Sequence, residues 1–263
     1  YFRFVLLYAV YKLLQNEPDF KPERSFILAS GSDEEASGRY GAKYLNEALL
    51  EKYGQDSIYS IIDEGVVGIR EVAGVMIAAP GTREKGFINL IFDIHTPGGH
   101  SSVPPDHTSI GIAADIIHDI ELSKFPAQFT PRNPVTQYYQ CIAQYSDSMD
   151  QSLKINFLNA MEDDDANEKV LEYLFKSGGK KTEYLFRSTQ AIDIINGGIK
   201  ANALPETVSF LLNSRVAVES NVNETLKKFY QSAYKVAKEN GLGYTTNGEE
   251  VLEPTELGNV VLN

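Results

Sequence analysis

The clearest hydrophobic pattern in the chain is a regular alternation between residues 86 and 96, where every second position is large and apolar. Successive side chains of a strand point to opposite faces, so this pattern predicts a half-buried antiparallel strand. Apolar residues at helical spacing then predict a helix at about residues 108–122. The later pattern predicts strands at 189–195, at 207–218 and near 249–252, with a helix at 223–240. This order of elements is that of a small α+β sandwich.

The first 63 residues alternate between helical and strand-like patterns. Apolar residues at helical spacing predict a core-facing helix that ends near Pro18, and a second helix is predicted at about residues 37–53. Short apolar runs at 25–30 and 57–62 predict two buried strands. Helices that alternate with such strands indicate an α/β fold with a parallel-type sheet, in which functional residues gather at the carboxyl ends of the strands.

Acidic residues follow both of these predicted strands. Asp33, Glu34 and Glu35 come after the first strand, and Asp63 and Glu64 come directly after the second. Neighbouring strands would deliver these carboxylates to one rim of the sheet, as a shared metal site requires. Clustered carboxylates are costly in a partly dry place unless a cation neutralises them or one of them holds a proton, and both solutions serve catalysis. Two independent solvated turns are the alternative.

The middle of the chain is the least readable part. Residues 126–134 form a proline-rich connector, and residues 135–187 follow no clear pattern. The acidic run at 161–168 is predicted to be a solvated loop and helix start, because it lacks the glycine and glutamate spacing of an EF-hand calcium loop.

Charge and cysteine content exclude several classes of partner. The 263 residues include 36 acidic and 24 basic side chains, for a net charge of -12, and no cluster of lysine and arginine stands out. Nucleic acid and anionic membranes are therefore poor partners. Cys141 is the only cysteine, which excludes a disulfide framework and a thiolate metal cage.

Five blocks of this sequence resemble, in order and in rough spacing, the conserved blocks of the M20 metallopeptidases. They are Gly-Ser-Asp33-Glu34-Glu35-x-Ser-Gly, Asp63-Glu64-Gly65, Gly98-Gly99-His100-Ser101-Ser102-x-Pro104-Pro105, Gly197-Gly198-x-Lys200-x-Asn202-x-x-Pro205 and Asn213-Ser-Arg215. Each block alone is a weak signal, whereas five in order are specific. The resemblance is strongest to the fungal vacuolar carboxypeptidase S branch (Gly-X carboxypeptidases) and to related secreted N-acyl amino acid amidohydrolases.

The resemblance implies a zinc-dependent hydrolase of peptide or N-acyl amino acid bonds. It implies a partial α/β catalytic domain at residues 1–85, an inserted ferredoxin-like α+β dimerisation (lid) domain at 86–252, and a return segment at 253–263. Glu34 resembles the general base, Glu35 a ligand of one zinc ion and Asp63 a ligand of the second. Glu64 is the alternative to Asp63, because family members differ in which acidic residue of this block reaches the metal.

The resemblance also implies roles for three residues of the lid. His100 resembles the histidine that reaches, often from the partner subunit, to the carbonyl oxygen that becomes negatively charged. Arg215 is suited to bidentate capture of a substrate carboxylate, and Asn202 to donating a hydrogen bond beside it. Without the resemblance, the three would be a loop residue, a surface charge and a turn residue. His95 is not expected to share a metal with His100, because an uninterrupted strand would point the two to opposite faces.

The glycines of these blocks, at positions 98, 99, 197 and 198, are expected to permit close backbone approach or positive φ angles.

The family pattern also contains metal ligands that this sequence does not match, namely a His-x-Asp block, a bridging Asp and a final His. We therefore expect the chain to be an internal fragment that is inactive alone. By analogy we expect a homodimer formed through the lid, and a vacuolar, lysosome-like or secretory lumen. An N-acyl amino acid amidohydrolase or synthase remains an alternative, as does a metal-free dimerisation or binding module.

Overall fold

The computed structural model of the protein describes residues 2–63 and 69–263. Each of these two ranges forms a compact unit. Helices combine with a mixed sheet, so the predicted α/β fold class is confirmed. The domain boundary predicted at residue 85 stays a prediction. In the structure, a hairpin at residues 69–78 packs with the second unit.

The first unit contains both of the helices that the sequence predicts. They are α1 (Phe2–Asn16) and α2 (Ala42–Tyr53), and a short 3-10 helix at Glu34–Ala36 lies between them. We predicted that α1 faces a core, yet the side chains of Phe4, Tyr8 and Leu14 are exposed in the described structure.

Two predictions for the first unit are wrong. Residues 25–30 and 57–62 were predicted as buried strands, but neither segment has a strand partner within the described residues. Their apolar side chains are largely exposed, with Phe26 at 77% and Ile62 at 95%. A buried parallel strand requires neighbours on both edges and helices over both faces, and these segments have neither.

The second unit contains the remaining elements. The strands are β1 (Ile69–Val72), β2 (Val75–Ala78), β3 (Phe87–His95), β4 (Gly99–His100), β5 (Ala191–Gly197), β6 (Ala203–Leu204), β7 (Thr207–Arg215), β8 (Gly243–Thr246), β9 (Glu249–Leu252) and β10 (Asn259–Leu262). The helices are α3 (Ser109–Leu122), α4 (Pro134–Tyr145), α5 (Gln151–Asn159), α6 (Asp164–Glu183) and α7 (Val222–Glu239). The predicted strands and helices around residues 87–122 and 189–252 are thereby confirmed.

Six of these strands form one sheet in the order β5-β7-β3-β10-β8-β9. All neighbours are antiparallel except β10 and β8, which run parallel. Strand β3 pairs with β7 along its whole length, from Phe87 opposite Arg215 to His95 opposite Thr207. The sequence analysis missed β8 and β10. It placed residues 259–262 in a return segment, whereas they form an inner strand of this sheet.

The main core lies between this sheet and the helices α3 and α7. On β3, the alternation predicted from the sequence is confirmed, because Leu90, Phe92 and Ile94 are buried while Phe87 and Ile91 are exposed. The rings of Phe92 and its cross-strand neighbour Phe210 stack with centroids 4.5 Å apart. Helices α3 and α7 contribute the core residues Ile112, Ala113, Ile116, Ile120, Phe229, Ala233, Val236 and Ala237.

Helices α4, α5 and α6 form a second, smaller core around Phe129, Phe157 and Phe186. We call residues 126–187, which include these three helices, the helical insert. Asp163 caps α6 by accepting hydrogen bonds from the backbone N–H groups of Asp165 and Ala166. The acidic run at 161–168 is therefore a loop and helix start, as predicted.

A buried carboxylate ties the helical insert together. Glu183 is 8% exposed, and its carboxylate accepts hydrogen bonds from Lys124 and Lys180 at 3.1 and 3.0 Å and pairs with Arg187 at 3.4 Å. Burial acts to raise the pKa of Glu183, but the bonds from Lys180 and Lys124 outweigh burial, so the pKa lies below its ordinary value of 4.5.

None of the helices within residues 2–63 and 69–263 combines the length and the apolar character needed to cross a membrane.

We predict that Glu183→Gln lowers the free energy of unfolding by about 3 kcal/mol at neutral pH, because Arg187 loses its partner in a largely buried place. Ionised Glu183 stabilises the fold above the unfolded-state pKa, and that contribution is lost as pH falls through the lower folded-state pKa. The difference between variant and wild type should therefore shrink below about pH 4. Urea unfolding across pH measures it. Glu168→Gln, an exposed position on the same helix, is the control. Equal losses from both variants would contradict the prediction.

Candidate active-site residues

The acidic loop of the first unit is held by one of its own carboxylates. Asp33 accepts hydrogen bonds from the backbone N–H groups of Tyr40, Gly41 and Ala42 at 2.6, 3.0 and 3.0 Å. The bond from Tyr40 contributes most to lowering the pKa of Asp33 below its ordinary value. Asp33 therefore orders the start of α2, a structural role that the sequence analysis did not assign.

Glu34 and Glu35 begin the 3-10 helix that follows, and both side chains are exposed. The helix ends at Ser37, whose φ of 75° is left-handed, and Gly38 continues with a φ of 63°. A Cβ atom on Gly38 would lie 2.9 Å from that of Ala42, so only glycine fits this turn. The turn thus presents the two glutamates at the surface of the first unit.

Asp63, the predicted ligand of a second zinc ion, is exposed at the end of the segment at 57–62. Its alternative, Glu64, lies outside the described residues, as does Gly65. Within residues 2–63 and 69–263, no three His, Cys, Asp or Glu side chains are grouped so that they could hold a metal ion. A protein zinc site takes three or four such ligands, so the described residues do not complete one. The roles of Glu34, Glu35 and Asp63 stay predictions.

The lid residues His100 and Asn202 are brought together by a short ladder between two loops. Strand β4 pairs with β6, which sets His100 opposite Ala203, and the backbone N–H of Ser101 donates to the Asn202 carbonyl oxygen at 3.2 Å. The side-chain nitrogen Nδ2 of Asn202 lies 3.4 Å from Nε2 of His100. Two residues that are far apart in sequence therefore form one polar site.

The glycines of these loops have the roles predicted for them. A Cβ atom on Gly98 would lie 2.8 Å from the Glu206 side chain, and one on Gly197 would lie 2.7 Å from Val208. Gly198 has a φ of 77°, which disfavours any residue with a side chain. Close approach of the two loops therefore depends on these positions.

The His100 ring is held by the residue two positions later, which the sequence analysis did not single out. Ser102 approaches Nδ1 of His100 twice, with its Oγ atom at 2.8 Å and its backbone nitrogen at 3.2 Å. His95, in contrast, contacts Thr207 Oγ1 through Nδ1 at 3.1 Å. Each histidine thus has its own polar partners.

Arg215 lies at the far end of β7 from this polar site. It stands opposite Phe87, and its guanidinium lies 5.1 Å from the centre of the Phe87 ring. Eight residues of strand, or roughly 27 Å, separate it from Thr207, which lies next to the paired loops. The structure therefore brings His100 and Asn202 together and keeps Arg215 apart from them within one chain.

Most of the chain is similar in sequence to known proteins. The M20 peptidase dimerisation domain matches residues 82–241. Carboxypeptidase S of Saccharomyces cerevisiae is 44% identical over 243 residues, which are 92% of this chain and 42% of the relative. The N-fatty-acyl-amino acid synthase/hydrolase PM20D1 of Xenopus tropicalis is 32% identical over 78% of this chain and 39% of the relative. The chain thus spans about two fifths of the length of these relatives.

Among solved structures, human carnosine dipeptidase 1 aligns with a TM-score of 0.44 and 13% identity, over 87% of this chain and 46% of that chain. The dimerisation-domain match covers more than half of the sequence and includes the strands β3 and β7, the paired loops and Arg215. The chain therefore belongs to the M20 peptidase family, as its sequence motifs predict.

Proposed function

We propose that the whole protein to which this chain belongs is a zinc-dependent carboxypeptidase that removes C-terminal residues from short peptides of the Gly-X type. The observation that carries the proposal is the 44% identity to Carboxypeptidase S across 92% of the chain. By analogy with fungal members of the family, we propose a vacuolar or secretory lumen as its compartment.

In this proposal the first unit supplies the hydrolytic groups. Glu34 takes a proton from the attacking water. Glu35 and Asp63 would each hold one of two zinc ions, together with ligands that the described residues do not supply. Zinc, when bound, supplies a Lewis acid and lowers the pKa of bound water towards 7. The exposed positions of Glu34 and Glu35 leave both carboxylates accessible for these roles.

The lid supplies the groups that hold the substrate. His100 donates a hydrogen bond to the oxygen of the scissile carbonyl, where negative charge develops. Asn202 was expected to donate beside the substrate carboxylate, but it lies next to His100 and far along β7 from Arg215, so we propose that it donates to the same carbonyl oxygen. Arg215 binds the substrate carboxylate, because its planar guanidinium matches a carboxylate with two parallel hydrogen bonds. Its stacking on Phe87 limits the motion of the guanidinium and prepares it for that geometry.

The distance along β7 supports an active site shared between two subunits. Thr207, next to the paired loops, and Arg215 are roughly 27 Å apart, which is farther than a short peptide reaches. We therefore propose that, in a homodimer, a substrate that contacts His100 and Asn202 of one subunit is bound through its carboxylate by Arg215 of the other subunit. In this arrangement His100 acts at the hydrolytic groups of its partner subunit.

A second function is supported by a specific finding, namely the 32% identity to an N-fatty-acyl-amino acid synthase/hydrolase. The cleaved bond would again be an amide next to a free carboxylate, so the same residues would serve. The two functions differ in the acyl side of the substrate, which is a blocked amino acid in one case and a fatty acyl chain in the other.

We predict that Glu34→Gln in the full-length protein lowers kcat for an N-blocked Gly-Leu dipeptide by about 10² to 10⁴-fold, because a general base contributes that much. Zinc content should stay at two ions per chain, as measured by metal analysis. Glu51→Gln, an exposed position on α2, is the control and should keep wild-type activity.

Two results would contradict this prediction. Wild-type protein without zinc and without turnover would favour a binding module. A kcat/KM that is higher for an N-fatty-acyl amino acid than for the blocked dipeptide would favour the second function.

We also predict that two inactive variants restore activity when they form mixed dimers. A Glu34→Gln subunit keeps its His100, and a His100→Ala subunit keeps its Glu34, so each mixed dimer has one intact site. Random mixing makes about half of the dimers mixed, and roughly one quarter of wild-type activity should return. Activity is measured after the variants are unfolded and refolded together.

The control for this mixing experiment pairs Glu34→Gln with Glu35→Ala. Both changes affect groups that each subunit supplies to its own site, so no site in a mixed dimer is intact and no activity should return. If His100 acts within its own chain, the first mixture will also stay inactive.

The exposed edge of the sheet at β5 provides the proposed dimer contact. Edge strands carry unpaired backbone groups that join other strands, and charged side chains normally protect them. The opposite edge, β9, is short and carries Glu249 and Glu250. Strand β5 carries one charge, Asp193, at a bulge, but it also exposes Ile194 and Ile195 at 52% and 56%, and Ile195 lines a shallow depression with Ile110 of α3.

We predict that Ile195→Lys weakens dimerisation of the full-length protein by at least about 100-fold, because a charge would be buried in the contact. Sedimentation equilibrium gives the dissociation constant. Val251→Lys, a matched change of an exposed residue on β9, should leave the dimer intact. A dimer that is lost with Val251→Lys and kept with Ile195→Lys would move the contact to the other edge.

A further inference from the structure

We propose that Ser102 is a positioning residue that fixes the tautomer of His100, with the ring hydrogen on Nε2 and a lone pair on Nδ1. The tautomer itself follows from local geometry alone. Its value for catalysis rests on the proposed function of His100, so the two are tested separately below.

The first step is the turn in which both residues lie. The backbone N–H of Val103 donates to the carbonyl oxygen of His100 at 3.0 Å, which closes a turn over residues 100–103. Within this turn the imidazole accepts from the backbone N–H of the residue two positions later, as Asn and Asp side chains do in Asx-turns. The pairing of His100 with Ala203 and the prolines at 104 and 105 restrict the turn on both sides.

The second step is the direction of the hydrogen bond. A backbone N–H is always a donor, so Nδ1 at 3.2 Å from the Ser102 nitrogen must present its lone pair. The Ser102 hydroxyl, 2.8 Å from Nδ1, can donate to the same nitrogen. In the opposite tautomer the ring hydrogen would point at the backbone hydrogen. The backbone N–H of Ser102 therefore selects the form with the hydrogen on Nε2, and the hydroxyl, which can donate or accept, donates to Nδ1 in that form.

The third step is the consequence for Asn202. With hydrogen on Nε2, the ring and the amide nitrogen Nδ2, 3.4 Å away, are two neighbouring donors in the amide orientation seen here. Both can donate to one carbonyl oxygen placed between them. In the opposite tautomer Nε2 would accept from Asn202, and no ring donor would remain for a substrate. Ser102 thus decides whether this pair of residues stabilises a negatively charged oxygen.

The tautomer is tested directly by nitrogen NMR on the 263-residue chain labelled with ¹⁵N-histidine, at about pH 8, where imidazoles are neutral. The chain has four histidines, and His100→Gln identifies the signals of position 100. We expect Nε2 to resonate as a protonated nitrogen and Nδ1 as an unprotonated one. The reverse pattern, or an equal mixture of tautomers, would overturn the proposal whatever the activity of the protein.

The role of Ser102 is tested with Ser102→Ala, which removes the hydroxyl and keeps the backbone N–H. We expect the tautomer to be kept, because the backbone N–H still donates to Nδ1, while the ring loses one of the two groups that hold it. In the full-length protein, kcat for the blocked dipeptide should fall about 10-fold with little change in KM, because the lost interaction acts in the transition state.

Two further variants distinguish positioning from a general loss of structure. Ser102→Thr keeps a hydroxyl and should retain wild-type kcat. Ser101→Ala, the preceding position, should change neither the spectrum nor kcat. A Ser102→Ala protein with wild-type kcat would show that the Ser102 hydroxyl does not position His100. A wild-type protein that shows the expected tautomer but no hydrolysis would refute the proposed function alone.

Discussion

The pairing of β3 with β7 is the constraint on which the rest of the second unit depends. The two strands pair over nine residue positions, and the rings of Phe92 and Phe210 stack across the pair on the side of the main core. A slip of one residue would turn every buried side chain of one strand towards solvent, so the register is strongly determined. This register fixes what lies at each end of the two strands. The paired loops follow one end, and Arg215 lies at the other.

The elements that the sequence predicted well are those whose burial follows a simple period. Strand β3 alternates and α3 repeats at helical spacing, because each packs one face on a single core. Segments 25–30 and 57–62 were predicted from apolar composition, which cannot show whether partner strands are present. Strand β10 was missed because it is four residues long and pairs with β3, far away in sequence. The helical insert packs on a core of its own, so its hydrophobic pattern does not reflect contacts with the sheet.

For the candidate site, the sequence identified residue types and the structure added their arrangement. His100 and Asn202 were each predicted by a motif, but their contact depends on a ladder between loops that are 102 residues apart. No local pattern contains that information. The role of Ser102 could have been suspected, since a donor two residues after an acceptor side chain is a common turn arrangement. The role of Asp33 as a loop anchor could not, because its three donors lie seven to nine residues later.

The helical insert has a consequence for the order in which the second unit folds. His95 and Thr207 meet although they are 112 positions apart in sequence, and closing so long a loop before its contacts form is the slow step in folding such sheets. The insert lies inside that loop, and its helices contact mainly one another. If it collapses first, the disordered path between β3 and β7 becomes much shorter. The insert would then speed the folding of the second unit, and sequence changes in its aromatic core would slow formation of a sheet with which the insert makes few contacts.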